Sequence, residues 1–295
     1  MSLRLRLFRG VMRHGMKPLL RRARGVGGAW AGLVAVSLLF PPPLGVGRRR
    51  EVIGGVPCLR LTGGDGAAGP VLLWMHGGAH VAGSAFTHRA MVGRIIRATG
   101  GQAVLPNYRR APEHPAPAGY DDGVRVLEAL WAAGVAPGRI VLGGDSAGGG
   151  LAAALLAEAE ARGKPPGGMV LLSPWADLTL AGASIRGNAA REALLPSERM
   201  SEMVGLIRGV LDPADPRLSP VFARWAGSCP ALICVGTTEI LLDDSLRLAE
   251  AMRQAGAQVD LVRQPGAPHV LAYLAPWVPE ARAEIRRIAA FLRSL

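Results

Sequence analysis

Ser146 stands in the sequence GDSAG at residues 144–148, which has the pattern Gly-x-Ser-x-Gly. An apolar run at residues 140–143 precedes it, and a helical pattern rich in alanine and leucine follows at residues 148–162. A strand, a glycine-framed serine and a helix in succession predict a sharp turn that exposes the serine hydroxyl. The free N–H groups at the start of such a helix favour a negative charge that develops beside it. The chemistry indicated is nucleophilic attack by Ser146.

His269 and Glu239 are the candidates for the base and the acid that a nucleophilic serine requires. A serine hydroxyl is a weak nucleophile until a neighbouring base takes its proton. His269 is the only histidine after Ser146, and it lies in a turn-rich loop after the last predicted strand. In the order serine, acid, histidine, the acid comes between the other two, and Glu239 follows another predicted strand. Asp243 is the alternative acid, and the pattern also allows Glu239 to be only a carboxylate at a helix start.

A glycine-rich turn with the sequence HGGA, at residues 76–79, follows an apolar run at residues 71–75. Successive backbone N–H groups in such a turn can point into a cleft and hold the negatively charged oxygen of an acyl-transfer intermediate. We expect these oxyanion donors on Gly77 and Gly78, with the N–H of Ala147 as the third. Without the serine motif downstream, the same residues would indicate only a tight turn.

No feature of the sequence indicates a metal or a cofactor. Three cysteines without a CxxC pair predict neither a disulfide framework nor a zinc site. One stretch is rich in histidine but lacks the HExxH spacing of a zinc helix; its members are His76, His80 and His88. Asp145, beside the candidate nucleophile, is interpreted as a structural carboxylate that accepts hydrogen bonds from nearby backbone. We therefore expect no metal site.

The elements that must position these residues alternate between strands and helices. Apolar strand patterns occur at residues 56–61, 71–75, 103–106, 140–143, 169–172, 231–235 and 259–262. Helical patterns lie between and after them, at residues 90–99, 120–133, 148–162, 245–254 and 280–295. This alternation predicts an α/β fold with a mostly parallel sheet. Residues 178–212 carry only helical and turn signals, which predicts an insertion over the sheet.

The positive charge of the chain lies at its N-terminus. The formal net charge is +12, and residues 1–50 contain eleven of the 34 basic residues and no acid. Residues 51–295 therefore hold 23 basic and 22 acidic residues, a net charge of +1. A nucleic-acid-binding body would carry its own basic face, so we do not expect nucleic acid as a partner.

Residues 3–20 predict an amphipathic helix. Apolar residues recur every three or four positions, at Leu5, Phe8, Met12, Met16 and Leu19, and basic residues recur on an adjacent face, at Arg6, Arg9, Arg13 and Lys17. We favour a solvated basic face on a helix packed against the body; the alternative is peripheral contact with an anionic lipid surface. The apolar run at residues 29–40 is too short to span a bilayer and lacks a clean cleavage site. We therefore expect no stable membrane insertion and a cytoplasmic protein.

Several motifs, in the right order, resemble the hormone-sensitive-lipase-like bacterial esterases of the α/β-hydrolase fold. The HGGA turn resembles the family's HGGG oxyanion motif, and YRRAPEHP at residues 108–115 resembles its YRLAPEHP stretch. GDSAGG at residues 144–149 resembles the family's serine elbow, and SPWAD at residues 173–177 the segment that leads into its cap. Residues 236–244 and 265–269 resemble its acid and histidine loops. The resemblance covers most of the chain.

The resemblance implies a domain organisation. The fold would be an α/β-hydrolase fold, with a mostly parallel central sheet flanked by helices and covered by a helical cap. The cap would consist of N-terminal helices within residues 1–44 and the insertion at residues 178–212. The catalytic domain would then comprise residues 45–177 and 213–295.

The resemblance also implies cofactor-free hydrolysis of small carboxylic esters with short or medium acyl chains, by Ser146, His269 and Glu239. Two positions depart from the family pattern: Ala79 replaces the third glycine, and Glu239 stands where many relatives have aspartate. Sequence leaves three rivals open, namely an amidase or an acyltransferase with the same nucleophile and a non-catalytic ligand receptor on the same fold. A homodimer is also left open.

Overall fold

In the computed structural model, which describes residues 1–23, 25–64, 69–227 and 229–295, eight strands form a single sheet. They are β1 Val46–Ile53, β2 Val56–Gly63, β3 Val71–Met75, β4 Gln102–Pro106, β5 Ile140–Asp145, β6 Gly168–Leu172, β7 Ala231–Gly236 and β8 Val259–Gln264. Their spatial order is β1-β2-β4-β3-β5-β6-β7-β8. β1 and β2 pair in antiparallel fashion, as do β2 and β4. All other neighbours are parallel, so the α/β prediction is confirmed.

The α-helices that the structure describes surround this sheet and continue beyond its carboxyl edge. They are α1 Leu3–Val11, α2 Lys17–Arg22, α3 Gly25–Leu38, α4 Ala85–Thr99, α5 Ala118–Ala132, α6 Ser146–Ala161, α7 Ser184–Gly187, α8 Met200–Ile207, α9 Leu242–Gln254 and α10 Pro279–Ser294. A π-helical turn, Met12–Met16, joins α1 to α2. None of these helices is long and apolar enough to cross a membrane within the described residues.

The core lies on both faces of the sheet because its central strands are apolar throughout. In β3, Leu72 and Trp74 contribute to one apolar cluster and Leu73 and Met75 to the other, as the two-residue period of a strand requires. Buried residues of α4 and α10 belong to the first cluster, and those of α5, α6 and α9 to the second. Burial on both sides is what a parallel sheet between helices demands.

Strand β1 is the element that the sequence pattern missed. Its residues 48–51 read RRRE, and every residue of the strand is exposed or only partly buried. It lies at the edge of the sheet and pairs only with β2. An edge strand can satisfy its backbone hydrogen bonds without an apolar face, so hydrophobic patterning gives no signal there. The seven predicted strands are present, with ends that differ by at most two residues.

The predicted helix at residues 3–20 is present as α1, the π-helical turn and α2, but its inner face differs from the prediction. Leu5 and Met12 are buried as expected, whereas Leu19 is 69% exposed and Lys17 is buried. The helix start is fixed by Ser2, whose hydroxyl accepts the N–H of Leu5 and donates to Glu280 at 2.8 Å. The N-terminal segment is therefore held against the N-terminus of α10.

Candidate active site

Ser146 lies at the junction of β5 and α6 with a left-handed backbone, φ +53°. Non-glycine residues adopt this conformation only where the surroundings impose it. The turn is tight enough that a Cβ at Gly148 would lie 2.2 Å from the carbonyl oxygen of Met75. No side chain caps α6 at Asp145, so the first N–H groups of the helix remain open beside the serine.

His269 and Glu239 are joined by a hydrogen bond between His269 Nδ1 and Glu239 Oε2 at 2.7 Å. Glu239 follows the carboxyl end of β7, and His269 follows that of β8, so neighbouring parallel strands bring the two loops together. Both side chains are buried. Burial lowers the pKa of His269, but the hydrogen bond and charge of Glu239, with the charges of Glu192 and Asp145, raise it above its ordinary value.

The two aspartates that follow Glu239 point elsewhere. Asp243 accepts the N–H of Ser184 at 2.9 Å. Asp244 accepts the N–H groups of Ala176 and Asp177, each at 2.9 Å. Burial raises the pKa of Asp244 to about 7. These carboxylates hold the chain where it enters the insertion, and Glu239 is the carboxylate that contacts His269.

A cavity of about 360 Å³ is lined by both Ser146 and His269. Its walls are mostly apolar. From the N-terminal segment come Phe8, Met12, Met16 and Phe40 among others, and from the insertion come Leu195 and Met203. The N-terminal segment and residues 178–212 therefore both border the cavity that contains Ser146.

The turn at residues 76–79 borders the same cavity, but its N–H groups do not all face it. The N–H of Gly77 points at Nε2 of His88, at 3.1 Å, so the prediction of Gly77 as an oxyanion donor needs correction. Among the described residues, no protein acceptor takes the N–H of Gly78 or Ala79. Gly78 has φ +124°, where a Cβ would lie 2.3 Å from the carbonyl oxygen of Ala82, so only glycine fits there. Ala147 lies in the first turn of α6.

Comparison with known proteins agrees with this geometry. The sequence profile of a family with the α/β hydrolase fold matches residues 72–273, which is more than half of the chain. The chain belongs to this family. An acetyl-hydrolase of Streptomyces hygroscopicus is 39% identical over 227 residues, or 77% of this chain and 76% of the relative. An esterase of Acinetobacter venetianus is 37% identical over 78% of this chain and 76% of its own length.

Solved structures place the enzyme in the branch that its motifs resemble. The crystal structure of an esterase from the bacterial hormone-sensitive lipase family superposes with a TM-score of 0.93 at 36% identity, and covers 100% of this chain and 98% of the other. The predicted α/β-hydrolase fold and the resemblance to this esterase family are thus confirmed, and the protein is a carboxylic ester hydrolase.

Ser173 is a residue of the esterase's site that sequence reasoning passed over. Its hydroxyl donates to Glu239 Oε1 at 2.8 Å and accepts the N–H of Val270 at 3.2 Å. It has φ +48° and comes directly after β6. The sequence signal that could have found Ser173 is its position at the carboxyl end of a parallel strand, where such sheets place their functional residues. Ser173 thus links Glu239 to Val270, the residue that follows His269.

Glu192 is the second residue that sequence reasoning missed. Its Oε2 accepts the N–H of Ile240 at 3.0 Å, and its Oε1 accepts the N–H of Leu194 at 2.8 Å. Its own carbonyl accepts from Lys17 Nζ at 2.9 Å. Burial, with the nearby charge of Glu239, raises the pKa of Glu192. It lies within residues 178–212, where nothing in the sequence pattern relates it to the loop that contains Glu239.

Asp145 is structural in a different manner from the prediction, because side chains are its partners. Its Oδ1 accepts the indole N–H of Trp74 at 3.0 Å, and its Oδ2 lies 3.1 Å from His88 Nε2. These buried contacts link the turn that contains Ser146 to the imidazole of His88, which the N–H of Gly77 also faces. Among the described residues, no group of three or more His, Cys, Asp or Glu side chains could hold a metal ion.

Proposed function

We propose that this esterase hydrolyses short- to medium-chain acyl esters through an acyl-enzyme, with Ser146 as nucleophile, His269 as base and Glu239 as the acid. The observation that carries the proposal is the 2.7 Å hydrogen bond between Glu239 and His269 beside a cavity that Ser146 shares. Glu239 holds Nδ1–H, so Nε2 is left free to take a proton, and it stabilises the imidazolium that forms.

Each step has a group to perform it. Ser146 Oγ attacks the ester carbonyl carbon while its proton moves to His269 Nε2. The resulting tetrahedral intermediate expels the alkoxide, which takes that proton and leaves as the alcohol. Water then attacks the acyl-enzyme with His269 again as base, and collapse releases the carboxylic acid and restores Ser146.

The oxyanion hole in this proposal consists of the N–H groups of Gly78, Ala79 and Ala147. Those of Gly78 and Ala79 have no protein acceptor within the described part of the chain, and Ala147 is at the open start of α6. Preorganised donors of this kind stabilise the charge that develops in the transition state. Ala79 has φ +52°, so replacing the family's third glycine leaves its N–H in a glycine-like backbone conformation.

The N-terminal segment (residues 1–44) and the insertion (residues 178–212) act as a cap that forms the acyl pocket. Both contribute apolar walls to the cavity above Ser146. A volume of about 360 Å³ is at the lower end for ligand pockets. A cavity of this volume with apolar walls favours a small ester with a short or medium acyl chain. The acetyl-hydrolase among the relatives agrees with the short end of that range.

Pre-steady-state kinetics on p-nitrophenyl acetate test the proposal. We expect a burst of nitrophenol close to the enzyme concentration, followed by slower turnover, and labelling of Ser146 by a fluorophosphonate. A non-catalytic receptor would give neither result. Rapid product formation only with an added amine or alcohol acceptor would favour an acyltransferase, and faster hydrolysis of the matched anilide would favour an amidase.

A further inference from the structure

Helix α1 carries a second apolar stripe that faces solvent. Leu5 and Met12 point inward and are 1% and 8% exposed. Leu3, Leu7 and Val11, spaced four residues apart on the opposite side, are 80%, 66% and 57% exposed. A helix that merely packs on a protein body presents polar residues outward. The outward stripe therefore has no explanation in the packing of the chain.

Basic side chains flank this stripe. Arg4, Arg6 and Arg13 are exposed on α1 and the turn after it, on either side of the leucines by the geometry of a helix. Arg4 and Arg13 contact backbone carbonyls of neighbouring segments. Among the described residues, none of the three arginines forms an ion pair with a carboxylate. The positive charge on this face is thus uncompensated.

The outer face continues to the mouth of the catalytic cavity. Val11 and Leu39 are both more than half exposed, yet both also line the cavity. Helix α3 lies between Val11 and Leu39 in sequence and contains no charged residue, and its Ala35 and Leu38 are exposed. A helix without charged residues is normally buried. The cavity opens through an apolar surface.

We propose that this outer face of the N-terminal segment, formed by Leu3, Leu7, Val11, Leu38 and Leu39 with Arg4, Arg6 and Arg13, docks on an anionic lipid bilayer. Exposed aliphatic side chains can enter the headgroup region while arginines pair with anionic headgroups, and the two contributions together suffice where either alone is weak. An acyl ester held in the bilayer would then enter the cavity between Val11 and Leu39 without crossing water. The acyl-transfer part of this inference depends on the proposed function, but the docking does not.

Vesicle co-sedimentation of the full chain tests the docking separately from catalysis. We expect the wild type to bind phosphatidylglycerol vesicles in preference to phosphatidylcholine vesicles, with weaker binding at high salt. Leu3→Ser/Leu7→Ser should weaken binding roughly tenfold or more, and so should Arg4→Gln/Arg6→Gln. None of these four residues lines the cavity, so turnover of soluble p-nitrophenyl acetate should stay near the wild-type rate, which also shows that the variants fold.

Matched controls come from exposed residues outside the N-terminal segment. Val52 and Val210 are 70% and 97% exposed, and Arg97 and Arg286 are exposed on α4 and α10. Val52→Ser/Val210→Ser and Arg97→Gln/Arg286→Gln should leave vesicle binding unchanged. Equal loss in the controls, or no binding of the wild type to anionic vesicles, would overturn the proposal. A dimer in sedimentation velocity that only Leu3→Ser/Leu7→Ser dissociates would assign the face to a second copy of the chain instead.

Discussion

The carboxylate of Glu192 accepts the backbone N–H of Ile240, the residue directly after Glu239, at 3.0 Å. A residue between β6 and β7 thereby holds the loop that contains Glu239. Its negative charge also contributes to the raised pKa of His269. Glu192 is thus linked to His269 both by position and by charge, and its neighbours Leu194 and Leu195 line the cavity.

Replacing the nucleophile tests the mechanism most directly. Ser146→Ala should lower kcat for p-nitrophenyl acetate by at least about 10⁴-fold, since the proposed acyl-enzyme forms on the hydroxyl that this variant lacks. Thermal unfolding should change little because alanine keeps the Cβ and only one hydroxyl group is lost. Near-wild-type turnover by this variant would rule out Ser146 as the nucleophile.

A comparison of two variants tests whether Glu239 or Asp243 is the acid. Glu239→Gln should lower kcat by about 10²- to 10⁴-fold with little change in KM, because His269 loses both its orientation and its charged partner. Asp243→Asn should stay within a few-fold of the wild type, since Asp243 bonds to Ser184. Steady-state kinetics of the two variants check this, and a reversed ranking would move the acid to Asp243.

The raised pKa of His269 predicts the pH dependence of the reaction. As the proposed base, His269 would work in its neutral form, so kcat/KM should fall as the pH falls, with a midpoint above the ordinary histidine value of 6.5. Glu192→Gln removes a charge that favours the imidazolium, so the midpoint should move to lower pH. Glu250, exposed on α9, supplies the control, and Glu250→Gln should leave the profile in place. A profile unmoved by Glu192→Gln would show that its charge does not act on His269.

Met16 offers a test of the acyl pocket. It lines the cavity, whereas Leu19 in the adjoining helix is 69% exposed and does not. Met16→Trp should reduce kcat/KM for p-nitrophenyl octanoate roughly tenfold or more while activity on the acetate stays within about twofold, because the larger ring occupies acyl space. Leu19→Trp should leave both esters unaffected. An equal loss on both substrates would place the acyl chain elsewhere.

The sequence by itself determined the order of seven of the eight strands and of the helices that follow them, because buried parallel strands are largely apolar and helices repeat every three to four residues. Hydrophobic patterning carried no signal for the exposed edge strand β1. It also predicted Ser146 as nucleophile and His269 as base, since a glycine-framed serine between strand and helix is a local pattern and only one histidine follows it. Glu239 could be predicted as the acid because it follows the carboxyl end of a strand, where such a sheet places its reactive groups.

The tertiary structure decided in which direction each group points and which residues, distant in sequence, it contacts. The N–H of Gly77 turns toward His88. Ser173 contacts Glu239, which is 66 residues away in sequence, and Glu192 contacts Ile240, which is 48 residues away. Helix α1 carries an apolar stripe that faces outward. Residue spacing gives the face of an element but not what that face meets. Contacts between segments far apart in sequence exist only once the sheet has fixed where each loop ends, so no local pattern encodes them.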